Sequence, residues 1–495
     1  MRKSSLLLGA LLISGCTIET IEKAGPAPVG SGSGSGTGSG AEPTNPGGGT
    51  SKGVAAGKAE VRVVHGSPDA PAVDVWVKGL AQPVITGLSY GDASRYLEVD
   101  EGSYDFELRA SPSKASDAVA YSIGMITLKS QTRSTAIAAG LLGSSSADSK
   151  FRVLALADST TAVPTGKARV RVVHASPDAP TVGVDVGDDN VAAPEIAGLA
   201  RFADVAGVQL PANNALQIGI GASGKRVTAF TTPRLPDGGD LTVIATGLLG
   251  RLPREKDGFS LLAISSAGAI GFIKQNPIVY ALHASPDAPA IDAYAGSARA
   301  IDNLPFGQLA GPLQVQPGDL TIKVFGAGAA PSGKPVAEPT LTDLRPGERY
   351  LSIATGFLSP PAGAKPFQVL AFAESFALDD TKNARARVVH ASPNAPAVDA
   401  GPVAGGGITP AVANLAFGKS TQDAGLSLPG PNLLLGVTPA DQSNNILARF
   451  TLPTLAPSRS FVVAAGVLGH STRPFRLAVV DTTPSPWAIS HVFAH

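Results

Sequence analysis

The seven residues HASPDAP, His174–Pro180, decide the architecture of this chain, because the same sequence returns at His283–Pro289. Two near copies are HGSPDAP at His65–Pro71 and HASPNAP at His390–Pro396. The four histidines are 109, 109 and 107 residues apart. This period is too long for one propeller blade or solenoid turn, which take roughly 20–50 residues. It fits an independent domain of about 100–150 residues, so the sequence predicts tandem copies of one domain.

Each copy has two further landmarks in the same order. The middle landmark is a leucine followed by an aromatic residue: Leu88 and Tyr90, Leu199 and Phe202, Leu304 and Phe306, Leu415 and Phe417. The late landmark is an apolar run that ends in a glycine turn: STAIAAGLLG from Ser134, LTVIATGLLG from Leu241, YLSIATGFLS from Tyr350 and FVVAAGVLG from Phe461. The landmarks predict domains at residues 59–158, 167–266, 277–376 and 385–481, short connectors at 159–166, 267–276 and 377–384, and a tail at 482–495.

Short apolar runs bounded by Gly, Pro, Asn and Asp are typical of strands and turns. The first copy contains seven of them and no amphipathic helix: VRVVH, VDVWV, SRYLEV, SYDFELRA, YSIGMITL, STAIAAGL and FRVLALA. The predicted fold class is all-β, with four tandem β-sandwich domains of immunoglobulin-like or transthyretin-like type. A small barrel would give much the same pattern. We expect a row of separate domains, up to about 140 Å long at about 35 Å per domain.

The residues of the three landmarks resemble those of a known protein family. The VRVVHASPDAP opening, the Leu-x-Phe-Gly middle and the apolar strand before a Gly-Leu-Leu-Gly turn resemble a bacterial domain of unknown function, number 4397 in its series. Such domains recur in secreted and surface proteins, often in tandem. The resemblance covers nearly the whole chain after residue 58, and it implies a sandwich fold without an established activity.

The N-terminus predicts export and a lipid anchor. A basic start, Met1–Lys3, precedes an apolar stretch of eight residues, Leu6–Ile13, far shorter than the ~20 residues of a membrane-spanning helix. Residues 1–15 therefore read as a signal peptide. The following Cys16 is the only cysteine in the chain, and LISGC resembles a bacterial lipobox whose cysteine is acylated. By resemblance to lipoprotein sorting rules, Thr17 favours the outer membrane; the periplasmic and extracellular faces both stay open.

Residues 16–58 predict a flexible linker between the acylated Cys16 and the first domain. The segment contains GSGSGSGTGSG and NPGGGTSKG, which have almost no apolar surface to offset the entropy of ordering. The part from Lys23 to Gly57 would span roughly 30–35 Å as a coil.

Charge excludes nucleic acid as a partner. Lys plus Arg and Asp plus Glu both number 39, so no net field collects a polyanion. The chain has no disulfide available, so each domain depends on its own core, which ~100 residues can supply.

The repeated heptapeptide predicts a structural corner. Alternation along VRVVH places Val63 and His65 on one face of a strand and Arg62 and Val64 on the other, which favours a buried, neutral imidazole. The following Ser-Pro-Asp suits a type I turn. The aspartate accepts hydrogen bonds in this hypothesis, and Asn394 keeps the acceptor oxygen without the charge. The structural motif residues are His65, Asp69, His174, Asp178, His283, Asp287, His390 and Asn394.

Catalysis and metal binding both fit the corner poorly. A Ser-His-Asp triad needs a nucleophile and a base held by separate parts of the fold, whereas His65, Ser67 and Asp69 share one turn. A metal would need several ligands such as Asp69 and Asp74, but Gly183 replaces Asp74 in the second copy. We therefore predict no catalytic residue and no metal ligand.

Two segments match a phosphate-binding loop only in part. GIGASGK, Gly219–Lys225, and GAAPSGK, Gly328–Lys334, lack the Ser or Thr that holds magnesium. Both fall in the same predicted hairpin of successive domains. A Gly/Ser turn explains them better than a nucleotide site, so no cofactor is predicted.

The function predicted from the sequence is that of a lipid-anchored cell-envelope protein without enzymatic activity, acting in adhesion or scaffolding. The alternative is binding of a small ligand or glycan by each domain. The expected partners are the membrane, through Cys16, and an unidentified protein or glycan. Specific contacts would lie in the loops that differ between copies, at 144–150, 251–258, 327–334 and 359–365. Of these, RLPREKDG (251–258) has the most charge and is expected to be a solvated loop.

Overall fold

The computed structural model describes residues 53–379, 382–428, 432–453 and 458–495. All regular structure in these ranges is β-strand, arranged in eight sheets of four or five strands, so the all-β prediction is confirmed. The predicted signal peptide, Cys16 and the linker up to residue 52 lie outside the described residues. Within the described ranges, no helix has the length and apolar character needed to cross a membrane.

Thirty-five strands follow one another along the described chain, and we group them by copy of the motif. Repeat 1 contains β1 (Lys58–His65), β2 (Val73–Val77), β3 (Ile85–Leu88), β4 (Leu97–Asp100), β5 (Gly102–Ala110), β6 (Tyr121–Leu128), β7 (Thr132–Ala139) and β8 (Arg152–Asp158). Repeat 2 contains β9 (Lys167–His174), β10 (Val182–Val186), β11 (Ile196–Leu199), β12 (Asp204–Pro211), β13 (Gln217–Ala222), β14 (Lys225–Thr231), β15 (Asp240–Thr246), β16 (Ser260–Ser265) and β17 (Gly268–Lys274).

The second half of the chain has the same order of strands, with one additional short strand, β28, in repeat 4. Repeat 3 contains β18 (Ile278–His283), β19 (Ile291–Ala295), β20 (Ala298–Leu304), β21 (Leu309–Gln314), β22 (Gly318–Gly326), β23 (Thr340–Leu344), β24 (Arg349–Thr355) and β25 (Gln368–Ala373). Repeat 4 contains β26 (Ala384–His390), β27 (Val398–Ala404), β28 (Gly407–Ile408), β29 (Val412–Leu415), β30 (Leu426–Leu428), β31 (Leu433–Pro439), β32 (Ala448–Leu452), β33 (Arg459–Ala465), β34 (Arg476–Asp481) and β35 (Ala488–Phe493).

Each repeat contributes two sheets. In repeat 1 the motif sheet, which contains the strand ending at the histidine, has the order β4-β1-β7-β8, and the outer sheet has the order β3-β2-β5-β6. Strand β1 pairs with β7 in parallel and with β4 antiparallel. Strand β3 is additional to the seven runs found in the sequence; it includes Leu88 of the middle landmark.

The core of repeat 1 lies between its two sheets. Val75 and Leu108 of the outer sheet pack against Ala138 of the motif sheet and Phe151 beside it, with Val63 at the edge of the cluster. Apolar side chains on the facing sides of both sheets are thereby removed from water, which is the main stabilising term of such a sandwich.

The repeats are paired rather than strung out as separate domains. Val64 and Ile137, on the other face of the motif sheet of repeat 1, pack against Val173, Ile244 and Leu262 of repeat 2. The motif sheets of repeats 3 and 4 meet in the same way, through the cluster that includes Leu351, Ile353, Val389, Phe461 and Val463. The expected row of separate domains is therefore wrong, because each motif sheet is apolar on both faces and buries both.

The contact within a pair is reciprocal. Arg62 of repeat 1 donates from Nη1 to the carbonyl of Ser265 in repeat 2 at 2.7 Å, and Arg171, at the matching position of repeat 2, donates to the carbonyl of Ala157 in repeat 1. Ser265 and Ala157 also occupy matching positions in their strands. Residue i of one copy thus contacts residue j of the other and the reverse, as in a two-fold symmetric dimer.

Two segments outside the expected domains form strands. Residues 267–276, expected as a connector, contain β17, and the tail 482–495 contains β35; each is the fifth strand of a motif sheet. A short turn at residues 266–267 lets β17 fold back on β16 as a hairpin. Trp487, just before β35, stacks on Tyr280 of repeat 3 with ring centroids 4.1 Å apart, which fixes the tail against the neighbouring repeat.

Candidate functional site

The recurring histidine is the centre of the corner. His65 is the last residue of β1 and is 0% exposed. Its Nε2 lies 3.0 Å from the carbonyl oxygen of Pro71, and the matching distances in the other repeats are 2.8, 2.9 and 2.8 Å. A carbonyl oxygen can only accept, so Nε2 carries the proton and donates in all four repeats.

The environment keeps these imidazoles neutral. In repeats 3 and 4, Nδ1 of His283 and His390 accepts from the backbone N–H of Ser285 and Ser392 at 3.3 Å. Burial lowers the pKa of all four motif histidines, and the hydrogen bond to the proline carbonyl opposes this effect without cancelling it. The group is therefore a buried donor and acceptor rather than a charge.

The middle landmark of the sequence packs on this histidine. The Tyr90 ring meets His65 edge to face at 6.4 Å between centroids, and Phe306 and Phe417 meet His283 and His390 at 6.0 Å. In repeat 1 the carbonyl of His65 also accepts from the N–H of Gly91 at 2.9 Å. The leucine-aromatic segment is thus held against the corner by both ring and backbone.

The corner also fastens the glycine turn of the late landmark. Ser67 donates from Oγ to the Gly140 carbonyl at 2.7 Å, and Asp69 accepts from the N–H groups of Leu142 and Gly143 at 2.8 and 2.9 Å. Gly140 has a φ of +82°, and a Cβ there would lie 2.5 Å from the Lys150 carbonyl oxygen, so the turn requires glycine. All three landmarks therefore meet in one hydrogen-bonded unit, which we call the corner lock.

Repeat 4 shows which part of the aspartate matters. Asn394 accepts from the N–H of Leu468 at 3.0 Å and donates to the carbonyl of the same residue at 3.1 Å. One acceptor contact survives, and the second is replaced by a donor contact of opposite sense. The corner lock therefore works without a carboxylate.

The geometry does not assemble a nucleophile with its base. His65 Nε2 is bonded to the Pro71 carbonyl, while Ser67 Oγ is bonded to the Gly140 carbonyl and lies 3.2 Å from Asp69. In all four repeats the hydroxyl of this serine donates to the glycine carbonyl and not to the imidazole, so the hydroxyl–imidazole hydrogen bond that a triad requires is not among the contacts of the corner.

The buried aspartates after the corner hold loops. Asp74 accepts from the N–H of Gly87 at 2.8 Å and from the N–H and hydroxyl of Ser113 at 2.8 and 2.7 Å. Burial raises its pKa, but hydrogen bonds from the side chain of Ser111 and from Ser113 and Gly87 outweigh burial and leave the pKa below its ordinary value. In repeat 2, a Cβ on Gly183 would lie 2.6 Å from Pro194 Cγ, so the proline ring takes the space of the missing side chain.

Neither metal nor phosphate chemistry gains support from the assembled side chains. Across the ranges that the structure describes, no three His, Cys, Asp or Glu side chains are grouped so as to hold a metal ion. The segment Gly219–Lys225 forms the β13–β14 hairpin, and Gly328–Lys334 lies in the matching connection between β22 and β23. Both connect neighbouring strands of an outer sheet, and the predicted position in matching hairpins is confirmed.

The charged loop RLPREKDG is a contact between repeats and not a solvated loop. Arg254 donates from Nη2 to the Phe376 carbonyl of repeat 3 at 2.7 Å, and its Nε lies 3.9 Å from Oε2 of Glu374. Glu374 is 1% exposed and also pairs with Arg349 at 3.1 Å. Glu374 is not among the residues predicted from the sequence; its signal there is an acidic residue directly after an apolar strand, in FQVLAFAE.

An open cleft of about 390 Å³ lies where repeats 3 and 4 meet. Repeat 3 contributes Asp287 of its corner and Phe357 of its glycine turn; repeat 4 contributes Val467 and the following loop with His470, Thr472 and Arg473. Nδ1 of His470 accepts from the N–H groups of Thr472 and Arg473 at 3.3 and 3.2 Å, so its Nε2 is a donor.

The histidines predict a fall in stability on acidification. Their folded-state pKa values lie below the unfolded value of about 6.5, so the unfolded chain binds more protons in that range. Stability therefore rises with pH, and it is lost as pH falls through about 6.5 towards the lower folded-state values. Thermal melting of the full chain between about pH 7.5 and about pH 5 checks this; a melting temperature that is constant or higher at the acid end would contradict it.

The aspartate of the corner lock predicts a graded mutant series. Asp287→Ala removes the acceptor of the Leu358 and Ser359 N–H groups, at 2.8 and 2.9 Å, and should cost about 1–2 kcal/mol because the site is exposed. Asp287→Asn should lower the free energy of unfolding by a smaller amount, because Asn394 occupies the equivalent position of repeat 4 and still accepts one of the two hydrogen bonds. Urea unfolding of both variants gives the comparison; an asparagine variant as unstable as the alanine variant would refute the interpretation.

Comparison with known sequences agrees with this repeated construction. The family described as Domain of unknown function (DUF4397) matches residues 59–185 and 278–401, together just over half of the chain. Each match begins at a motif strand, β1 or β18, and ends within β10 or β27 of the following repeat. No curated protein matches the sequence. The chain belongs to the DUF4397 family and contains that domain in tandem.

Proposed function

We propose that this protein is a non-catalytic lipoprotein of the bacterial envelope that displays four β-sandwich domains of immunoglobulin-like or transthyretin-like type for adhesion or scaffolding. The supporting observation is the corner lock. In each repeat the recurring His, Ser and Asp or Asn bind backbone groups of their own repeat. What is copied four times thus stabilises the fold, and partner contacts fall to surfaces that differ between copies.

The anchor and the pairing of repeats fit display. Acylation at Cys16 would attach the chain to a membrane, because each buried methylene of the acyl chains adds about 0.8 kcal/mol to the free energy of membrane binding. Thr17, directly after the cysteine, favours the outer membrane. Two pairs of domains held together by apolar sheets would present several surfaces at once, and repetition multiplies weak contacts.

Metabolic fatty-acid labelling with protease treatment of whole cells tests this proposal. We expect label in the wild-type protein, none in Cys16→Ala, and removal of the folded part by external protease. Label that persists in Cys16→Ala would refute the anchor. A labelled protein that resists external protease would refute surface adhesion and leave an envelope scaffold facing the periplasm.

The cleft between repeats 3 and 4 favours a second candidate, binding of a small oxygen-rich ligand or glycan. Its volume of about 390 Å³ falls in the range of small-molecule sites, about 300–1,000 Å³. Arg473 and the Nε2 of His470 supply donors, Asp287 supplies an acceptor, and Phe357 and Val467 form an apolar wall. This would be one site for two repeats rather than one site in each domain.

Calorimetric titration of the full chain with glucuronate and with glucose tests the second candidate. Binding that is lost in Arg473→Gln and kept in Arg251→Gln would support it, because Arg251 lies outside the cleft and pairs with Glu255 and Asp257 in its own loop. No heat with either sugar, or binding unaffected by Arg473→Gln, would count against the cleft.

A further inference from the structure

The boundaries between successive repeats differ in chemistry. Apolar clusters cross from repeat 1 to repeat 2 and from repeat 3 to repeat 4. Among the described residues, no buried apolar cluster combines side chains from both sides of residues 275–277, where repeat 2 passes into repeat 3. A small, polar interface between two domains permits them to move relative to each other, whereas a large apolar interface does not.

The contact between repeats 2 and 3 contains hydrogen bonds and a long ion pair between Arg254 and Glu374. Gln314 donates from Nε2 to the hydroxyl of Thr228 at 2.9 Å, and Gly347 donates its N–H to the Gln275 carbonyl at 2.6 Å. Arg254 of repeat 2 also crosses the boundary, because it donates to the carbonyl of Phe376 in repeat 3 at 2.7 Å. Water can replace each of these partners when the contact separates, so the free-energy cost of opening is modest.

The buried carboxylate of Glu374, at this boundary, keeps its partners in repeats 3 and 4 if the contact separates. Glu374 pairs with Arg349 of repeat 3 at 3.1 Å and with Arg459 of repeat 4 at 3.8 Å, and it accepts from the Thr482 hydroxyl at 3.3 Å. Only the longest of its ion pairs, 3.9 Å to Arg254, crosses to repeat 2. Separation therefore leaves Glu374 paired within repeats 3 and 4.

Matching hydrogen bonds show that the pair is the unit of construction. Thr246 of repeat 2 donates from its hydroxyl to the Gly66 carbonyl of repeat 1 at 2.7 Å. Thr355 of repeat 3, at the same position of its copy, donates to the Ala391 carbonyl of repeat 4, also at 2.7 Å. Arg387 donates to the Ala373 carbonyl at 2.9 Å, as Arg171 does to that of Ala157 in the first pair.

We infer that the chain consists of two rigid modules, β1–β17 and β18–β35, and that the polar contact at residues 275–277 is a joint that opens without unfolding either module. This goes beyond the proposed display function, because it places one point of articulation in the folded array. It predicts motion of one pair of repeats relative to the other and none within a pair.

Hydrogen exchange of the detergent-solubilised full chain tests this inference. Its reporter is the Gly347 amide, which crosses the joint. We expect exchange at least about tenfold faster in Arg254→Gln, and in the wild type on raising NaCl from about 0.1 to about 1 M. Amides of β1, β7, β9 and β15, inside the first pair, should keep their rates. The matched control is Arg251→Gln, in the same loop with its ion pairs inside the loop, which should exchange like the wild type.

Two results would overturn the inference. An unchanged Gly347 rate in both Arg254→Gln and high salt would show a rigid boundary. Gly347 exchange that accelerates only together with the strands of the first pair would show that opening requires unfolding. The salt series on the wild-type protein keeps the test decisive if Arg254→Gln fails to fold.

Discussion

Replacing His283 with alanine is expected to lower the free energy of unfolding by about 3–4 kcal/mol. The side chain is 0% exposed. Its removal leaves the Pro289 carbonyl and the Ser285 N–H without their partner and opens a void against the Phe306 ring. Unsatisfied buried groups cost about 1–3 kcal/mol each, and the cavity adds to this. Urea unfolding of the full chain, followed by circular dichroism, measures the change.

The matched control for His283 is His495, which is exposed after strand β35 and lies outside the cleft between repeats 3 and 4. His495→Ala should change the unfolding free energy by less than about 0.5 kcal/mol. If His283→Ala unfolds like the wild type but loses a binding activity, the motif histidine is a ligand-contacting residue and the structural account of the corner is wrong.

Ile137→Ala should produce a loss of similar size, about 3–4 kcal/mol, confined to the first pair of repeats. Ile137 is 0% exposed and packs between the motif sheets against Val173 and Ile244 of repeat 2, where a large-to-small change leaves a cavity. Differential scanning calorimetry should show the transition of repeats 1 and 2 lowered by roughly 10 °C and that of repeats 3 and 4 in place.

Val227→Ala is the control for this experiment, since Val227 is 42% exposed on β14 and should shift the transition only slightly. Equal shifts of both transitions in Ile137→Ala would contradict independent pairs, and no shift at all would contradict the buried contact between motif sheets.

The burial of the motif histidine was accessible from the sequence because its determinant is local. Alternation along β1 places His65 on the face of Val63. In the structure, Val63 packs against the core of repeat 1 and His65 is fully buried. The hydrogen bonds of Asp69 with the glycine turn more than seventy residues later could not be predicted, because neither segment contains a sequence signal that identifies the other as its partner.

The sequence contains one indication that the repeats pair, but the alternation of apolar and polar residues does not reveal it. The segment TAIAA around Ile137 is apolar on both faces, which indicates burial on both sides, but the second partner of such a strand is not encoded locally. Arg254 and Glu374, 120 residues apart, meet only because the repeats pack together. Strand β17 follows a turn without Gly-Asn or Asn-Gly, so its hairpin had no strong local signal.

Nitrogen NMR of the full chain with labelled histidine tests the corner lock most directly. The chain has seven histidines, and substitution of each motif histidine by asparagine assigns its signal. The account predicts that His65, His174, His283 and His390 are neutral with the proton on Nε2, and that each titrates below the ordinary value of about 6.5. Motif histidines that titrate at or above that value, or that carry the proton on Nδ1, would contradict a buried structural lock and would point to a solvent-accessible site.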